Sequence, residues 1–420
     1  MLTSNHWRSV LVPFIFLSIL LLSACTSMVP REKLPYPIAT EDSAEQVKLV
    51  SIPLPVIAAS PNEGVTYGGL GAFLFHNKRD EVTSLLAPQV NYNNNFGVSS
   101  SLYGSFYPTP DQYWEFNLSR STHVNEDYEL KYNDRFLDKK LELNSFLYYF
   151  VDGSSRFFGF QSSSSQHDET NYADQELGFT IAVGYPLRKH IQLVIGERVR
   201  DVDIRRGAVR KVPFIGDRFS ADEVPGINGF TAHAQKVALV YSTMDSQVAP
   251  TYGGFAKLSV ENSSKLLGSS EEYRHYELEM KGFIPMDKGK RHISVFRLVY
   301  NQTLGNNVPF LEQSILGGEN TLRGYGRNRF IDNCYLLLNL EERIRLFRWE
   351  VFGVLADWEF APFIDFGTVM DRLDHVTTDT FEFNPGIGMR AVVRPNIVGR
   401  IDVGFGKEGP AVFVGLGYPF

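Results

Sequence analysis

The chain has 420 residues, with 48 acidic against 41 basic side chains and 13% aromatic residues. That mild acidity argues against a nucleic-acid partner. No stretch after residue 25 approaches the roughly 20 apolar residues of a membrane-spanning helix. A closed barrel is not excluded by this, because its lumen-facing residues are polar.

Residues 1–24 read as a signal peptide. Arg8 precedes an apolar run from Val10 to Leu22, the length of a secretory core and short of a span. Leu22-Ser23-Ala24-Cys25 is similar to the lipobox of bacterial lipoproteins, which implies a lipid on Cys25. Thr26, not an aspartate, follows, which by resemblance to proteobacterial sorting rules implies the outer membrane. Loss of residues 1–24 removes Arg8 from the 41 basic side chains and no acid, leaving 40 against 48. With Cys25 acylated, Cys334 is the remaining thiol, so neither a disulfide nor a cysteine metal site is expected. Cys334 reads as a small buried residue at a strand start. Residues 25–60 read as a lipidated linker, broken by Pro30, Pro35, Pro37, Pro53 and Pro55. The linker is shorter than a typical folded domain.

Residues 61–420 read as one barrel. Period-two alternation dominates from Val65 on. Trp114, Phe116 and Leu118 alternate with Glu115, Asn117 and Ser119; Leu336, Leu338 and Leu340 alternate with Asn339 and Glu341. Segments of roughly ten residues with aromatics near their ends match tilted membrane-spanning strands. The predicted strands are 65–76, 83–93, 97–107, 113–122, one within 127–150, 171–185, 191–204, 230–242, 252–262, 272–284, 290–302, 331–346, 353–367, 385–394, 397–407 and 410–420. Sixteen is an even number, as expected of a bacterial barrel. Asp138-Lys139-Lys140 has the composition of a turn that would divide the fifth strand and break that parity.

Long connections (151–170, 205–229, 303–330, 368–384) follow odd strands and short ones (94–96, 186–190, 285–289, 395–396) follow even strands, the asymmetry of outer-membrane barrels. The last strand places Val412, Val414, Leu416, Tyr418 and Phe420 on one face. An apolar strand ending in an aromatic resembles the C-terminal recognition signal of such barrels. Pro419 departs from that pattern and belongs where the sheet is weakly paired.

The loop between the eleventh and twelfth predicted strands carries Arg323-Gly324-Tyr325. This resembles the (V/I)RG(F/Y) tip of the sixth loop in the BamA/TamA-like superfamily, also called the bacterial surface antigen family, with Leu322 in place of Val or Ile. The second motif, F-x-D-x-G on the thirteenth strand, stands here as Phe363-Ile364-Asp365-Phe366-Gly367. Alternation points Asp365 inward, and Glu341 likewise. A loop folded into a lumen needs an anchor, and a guanidinium can pair with a carboxylate at two points. The resemblance therefore implies an all-β, 16-stranded antiparallel transmembrane β-barrel, with the loop locked in the lumen by Arg323 on Asp365 and Glu341. It covers about residues 55–420 and lacks the periplasmic POTRA modules of the assembly factors.

Other patterns carry no chemistry. Gly68-Gly69-Leu70-Gly71 opens no helix, so it is no dinucleotide loop. Gly-x-Ser-x-Gly does not occur, and nine histidines show no metal spacing. No cofactor or metal is expected. The basic stretch Arg205, Arg206, Arg210, Lys211 and Arg218 reads as a solvated loop, with lipopolysaccharide contact as the sharper reading. The family implies protein insertion, translocation or lipid handling at the outer membrane, through a seam between the first and sixteenth strands weakened by the first-strand glycines and Pro419. Expected partners are outer-membrane lipids and lipopolysaccharide, client outer-membrane proteins or a periplasmic partner, and a second copy. The rivals are a passive porin-like channel and an outer-membrane lipase or protease, which would need a nucleophile beside a base.

Overall fold

A ribbon with one apolar and one polar face, placed in lipid, satisfies its edges only by closing on itself. The computed structural model describes residues 25–30, 46–78, 82–109, 111–136, 140–351, 354–393 and 397–420. The predicted signal peptide, 1–24, lies outside them.

Eighteen described strands make the wall: β1 Gln46–Ser60, β2 Gly64–His76, β3 Val82–Asn93, β4 Gly97–Thr109, β5 Gln112–Ser121, β6 Glu126–Phe136, β7 Leu141–Asp152, β8 Ala173–Arg188, β9 Ile191–Arg205, β10 Phe230–Ser242, β11 Gly253–Ser263, β12 Tyr273–Pro285, β13 His292–Gly305, β14 Cys334–Val351, β15 Val354–Met370, β16 Glu382–Val393, β17 Ile397–Gly406 and β18 Gly409–Leu416. Each pairs antiparallel with its neighbour, and β1 meets β18 through Ala59↔Val412. A further strand, Cys25–Pro30, pairs with Gln46–Ser51 of β1.

The expected count of sixteen is thus corrected to eighteen. The segment 127–150 is two strands, β6 and β7, paired from Glu126↔Val151 to Phe136↔Leu141. Residues 46–60 are a strand rather than linker. Its prolines misled the reading: Pro53↔Gly71 and Pro55↔Gly69 sit in an unbroken ladder with β2. Residues two apart direct their amides to the same side, so both missing donors fall on one edge. An edge strand tolerates that. The two additions restore an even number but shift the early strands by one. Turn 94–96 therefore lies on the side of the long loops, not opposite them. Gly68, Gly69 and Gly71 lie in β2, a strand that pairs with β1 on one side and β3 on the other, so they are not at the closing edge.

Faces follow the alternation: Ile364 is 39% exposed on the outer wall, whereas its neighbour Asp365 is 0% exposed inside. Cys334 is buried at the start of β14. At the long-loop end, Phe157 and Tyr172 of one loop, Ile215 and Val224 of a second, and Phe310 and Ile331 of a third form a buried apolar cluster over the lumen. In the second of these loops the basic stretch is exposed, with Arg206 paired to Asp217 at 2.9 Å.

The final residues do not continue the lipid-facing stripe. β18 ends at Leu416, and Gly417 takes a φ of 80°, a left-handed turn that glycine permits. The chain then bends into the lumen. The Tyr418 ring lies 3.5 Å from the Arg343 guanidinium, and its hydroxyl donates to Glu359 at 2.8 Å. The Phe420 ring sits 5.6 Å from the Arg323 guanidinium. The sequence places Tyr418 and Phe420 on one face with Val412, Val414 and Leu416; facing buried arginines instead draws them in.

Candidate functional site

The 306–333 connection between β13 and β14 folds into the barrel and brings Arg323 to the inner wall. Arg323 is 0% exposed. Its Nε and Nη2 donate to Asp365 Oδ2 and Oδ1, both at 2.8 Å, and its backbone N–H donates to Oδ2 at 3.0 Å. Its Nη1 donates to Glu341 at 2.8 Å. The guanidinium lies 3.4 Å over the Phe363 ring. Asn339 donates to Asp365 and to Thr321 O, each at 2.8 Å. The predicted anchors Arg323, Asp365, Glu341 and Phe363 thus converge. Burial opposes the charge on Arg323, but Asp365 and then Glu341 outweigh it and hold its pKa above the ordinary arginine value.

The rest of the loop tip is packed. Tyr325 donates its hydroxyl to Glu382 and sets its ring edge-on to Phe330 at 4.9 Å. Leu316 and Leu322, which lie over Gly367, join Tyr325 and Phe330 in one buried cluster. Gly324 runs beside Gly404 and Gly406 of β17. A Cβ on Gly404 would lie 2.2 Å from the Arg323 carbonyl oxygen. Gly404→Val is therefore expected to expel the tip at a cost of about 1–3 kcal/mol, seen as new protease cuts within 306–333. An uncut loop would count against the close approach.

Several members of this network were missed. Arg390 bonds Asp402 at 2.7 Å and Glu341 at 3.2 Å; Arg343 reaches Glu341 at 3.0 Å; Arg400 reaches Asp402 at 3.4 Å. The missed signal was a pair of like charges opposite each other, Arg390↔Arg400. Such a pair needs carboxylates beside it.

A second anchor has the reverse polarity. Glu312, on the loop, accepts from Arg198 at 3.0 and 2.8 Å and from the Tyr273 hydroxyl at 2.6 Å; Arg200 Nε lies 3.1 Å away. Burial alone would raise the Glu312 pKa, but Arg200 and Arg198 hold it down to about 2. The loop is a strut: an acid grips the β9 wall and an arginine grips β14 and β15.

A closed antiparallel barrel with an inserted, arginine-locked loop defines a class of outer-membrane proteins. Residues 111–406 match the Omp85 superfamily domain, and the chain belongs to that superfamily, the BamA/TamA-like barrels. It is a bacterial outer-membrane β-barrel of a superfamily normally made up of transport and assembly barrels, not enzymes. Among solved structures it resembles BamA from Haemophilus ducreyi lacking POTRA domains 1–3, at 14% identity and TM-score 0.50, over 97% of this chain and 77% of that one. CdiB from Escherichia coli matches at 10% identity and TM-score 0.49, over 94% of this chain and 66% of that one.

Proposed function

We propose that this barrel inserts or translocates client polypeptides at the outer membrane by opening laterally between β1 and β18, with the inserted loop setting the closed state. The observation that carries this is the seam itself. Thirteen residue pairs join β1 to β2 and eight join β17 to β18, but a single pair joins β1 to β18. The two prolines of β1 cannot donate to a partner strand. Toward the other end of β1, Val50 and Ile52 share an apolar cluster with Val354, Val393 and Ile397. Apolar packing of this kind is non-directional, so an incoming strand or acyl chain can replace it. Outer-membrane lipids, lipopolysaccharide included, and client barrel proteins are the partners such a seam serves; a periplasmic partner or a second copy would present the client. Acylation of Cys25 would tether the chain to the same membrane, and a lipid-sized mass lost in Cys25→Ala would reveal it.

A disulfide across the seam, Ala59→Cys with Val412→Cys, tests this reading. Directly opposed strand residues suit such a bond. Oxidised cells are expected to lose outer-membrane proteins from their profile and to regain them with reductant. Full activity of the locked barrel would dispose of lateral opening. Parallel lipid profiling tells protein insertion from lipid handling.

A further inference from the structure

A single ladder pair contributes little net stability, so something else must keep the outer ends of β1 and β18 together. Both strands border turns at the long-loop end. Asn62 sits in the β1–β2 turn, and Glu408 in the β17–β18 turn. Both turns grip the same short stretch of the inserted loop. The buried Asn62 side chain donates from Nδ2 to the Arg327 carbonyl at 3.0 Å. The Asn62 carbonyl in turn accepts from Arg156 at 2.8 Å. On the other strand, Arg329 donates from Nε to Glu408 at 2.6 Å. Arg329 is itself buried, with Nη1 and Nη2 on Ser164 at 2.8 and 2.9 Å and its face against the Phe158 ring at 4.2 Å. Its place is therefore fixed by the outer loops, and Glu408 comes to it. The Lys407 amide adds a contact at 3.4 Å to the Tyr325 hydroxyl.

We propose that residues 327–329 form a clasp that holds the outer ends of the two seam strands together, Arg327 on Asn62 and Arg329 on Glu408. The inference deepens the lateral-opening reading and takes from it that the seam is a gate. The clasp lies four to six residues beyond Arg323, on the same loop. A withdrawal of the loop that breaks the arginine lock pulls both tethers off at once, and the outer ends of the seam are left with Ala59↔Val412. The seam thus answers to the 327–329 stretch of the loop and not to its Glu312 end.

Hydrogen exchange of the purified full-length chain reads this directly, because exchange of a protected amide follows the fraction of time its segment is open. In Asn62→Ala and in Glu408→Gln, the non-proline amides of 409–416 and of 52–60 that point across the seam are expected to exchange about tenfold faster, the factor that ~1.4 kcal/mol makes in an equilibrium constant. Glu312→Gln is the control: it loosens the same loop at the far wall and should leave those amides at their wild-type rates. Unchanged seam exchange in both clasp variants, or an equal rise in Glu312→Gln, overturns the clasp. Should Glu408→Gln fail to fold, as judged by heat-modifiable mobility, Asn62→Ala decides alone by the same criterion. Assembly activity is measured separately. Faster seam exchange in the clasp variants, together with full assembly activity in the disulfide-locked Ala59→Cys, Val412→Cys barrel, would set lateral gating aside and leave the clasp standing.

Discussion

Arg323→Ala is expected to cost about 3–5 kcal/mol and to free the inserted loop. The magnitude follows from what is left behind. Asp365 loses both guanidinium hydrogen bonds and keeps only neutral donors, the residue-323 backbone N–H at 3.0 Å and the Asn339 amide at 2.8 Å. It is fully buried, so the carboxylate then stands in the wall without a counter-charge. Glu341 fares better, because Arg343 and Arg390 still reach it. The cost therefore concentrates on Asp365 and lies toward the lower end of that range. Asp365→Asn is the milder change: the amide oxygen still accepts from the guanidinium, and Glu341 and Asp402 still surround it. Loss of heat-modifiable mobility, with new protease cuts in 306–333, would report the release. Arg323→Ala with unchanged stability and an uncut loop would remove the lock from the argument. The network is not fully satisfied even when closed: both amide atoms of the buried Asn384 lack a protein partner, as does Arg390 Nε. A partly satisfied polar network gains less on closing than its contact count suggests, which suits a loop that has to leave.

The lock was legible in the sequence because two short motifs and one parity rule fix it. Arg323 sits at a loop tip, and Ile364 and Phe366 facing lipid force Asp365 inward. The barrel class was legible for the same reason, since alternation survives any error in counting. What failed was the reading of ends. Prolines in Gln46–Ser60 signal a break when the segment is taken alone, and only a sheet edge makes them admissible. Alternation likewise put Tyr418 and Phe420 on one face with Val412, Val414 and Leu416, because the positive φ at Gly417 is a backbone event with no period. Arg390 and Asp402 were invisible for a third reason. Their bond joins residues twelve positions apart, and it depends on the β16–β17 register, which a one-residue slip would reverse.

Purified protein in a planar bilayer is expected to pass little steady current, although a wall of this many strands could enclose a solute channel. Two barriers lie in the path. The outer one is apolar: Phe157, Tyr172, Ile215 and Phe310 close over the lumen from three loops, with Phe157 and Phe310 edge to face at 5.6 Å. The inner one is ionic, where Arg323, Arg343 and Arg390 meet Asp365, Glu341 and Asp402. Ions are excluded by the first because they would shed their hydration among hydrocarbon rings. At the second, the loop itself fills the lumen. Replacing residues 309–332 by a short glycine-serine linker removes Phe310, Leu311 and Ile331 from the outer barrier, which opens it on that side, and the whole arginine tip from the inner one. Large, steady conductance is expected in that variant alone. Arg323→Ala should fall between the two, with brief openings as the untied loop swings clear, because Glu312 still holds its base to β9. Large steady conductance from the intact chain would favour a passive pore and would mean that the loop leaves the lumen without any client to displace it.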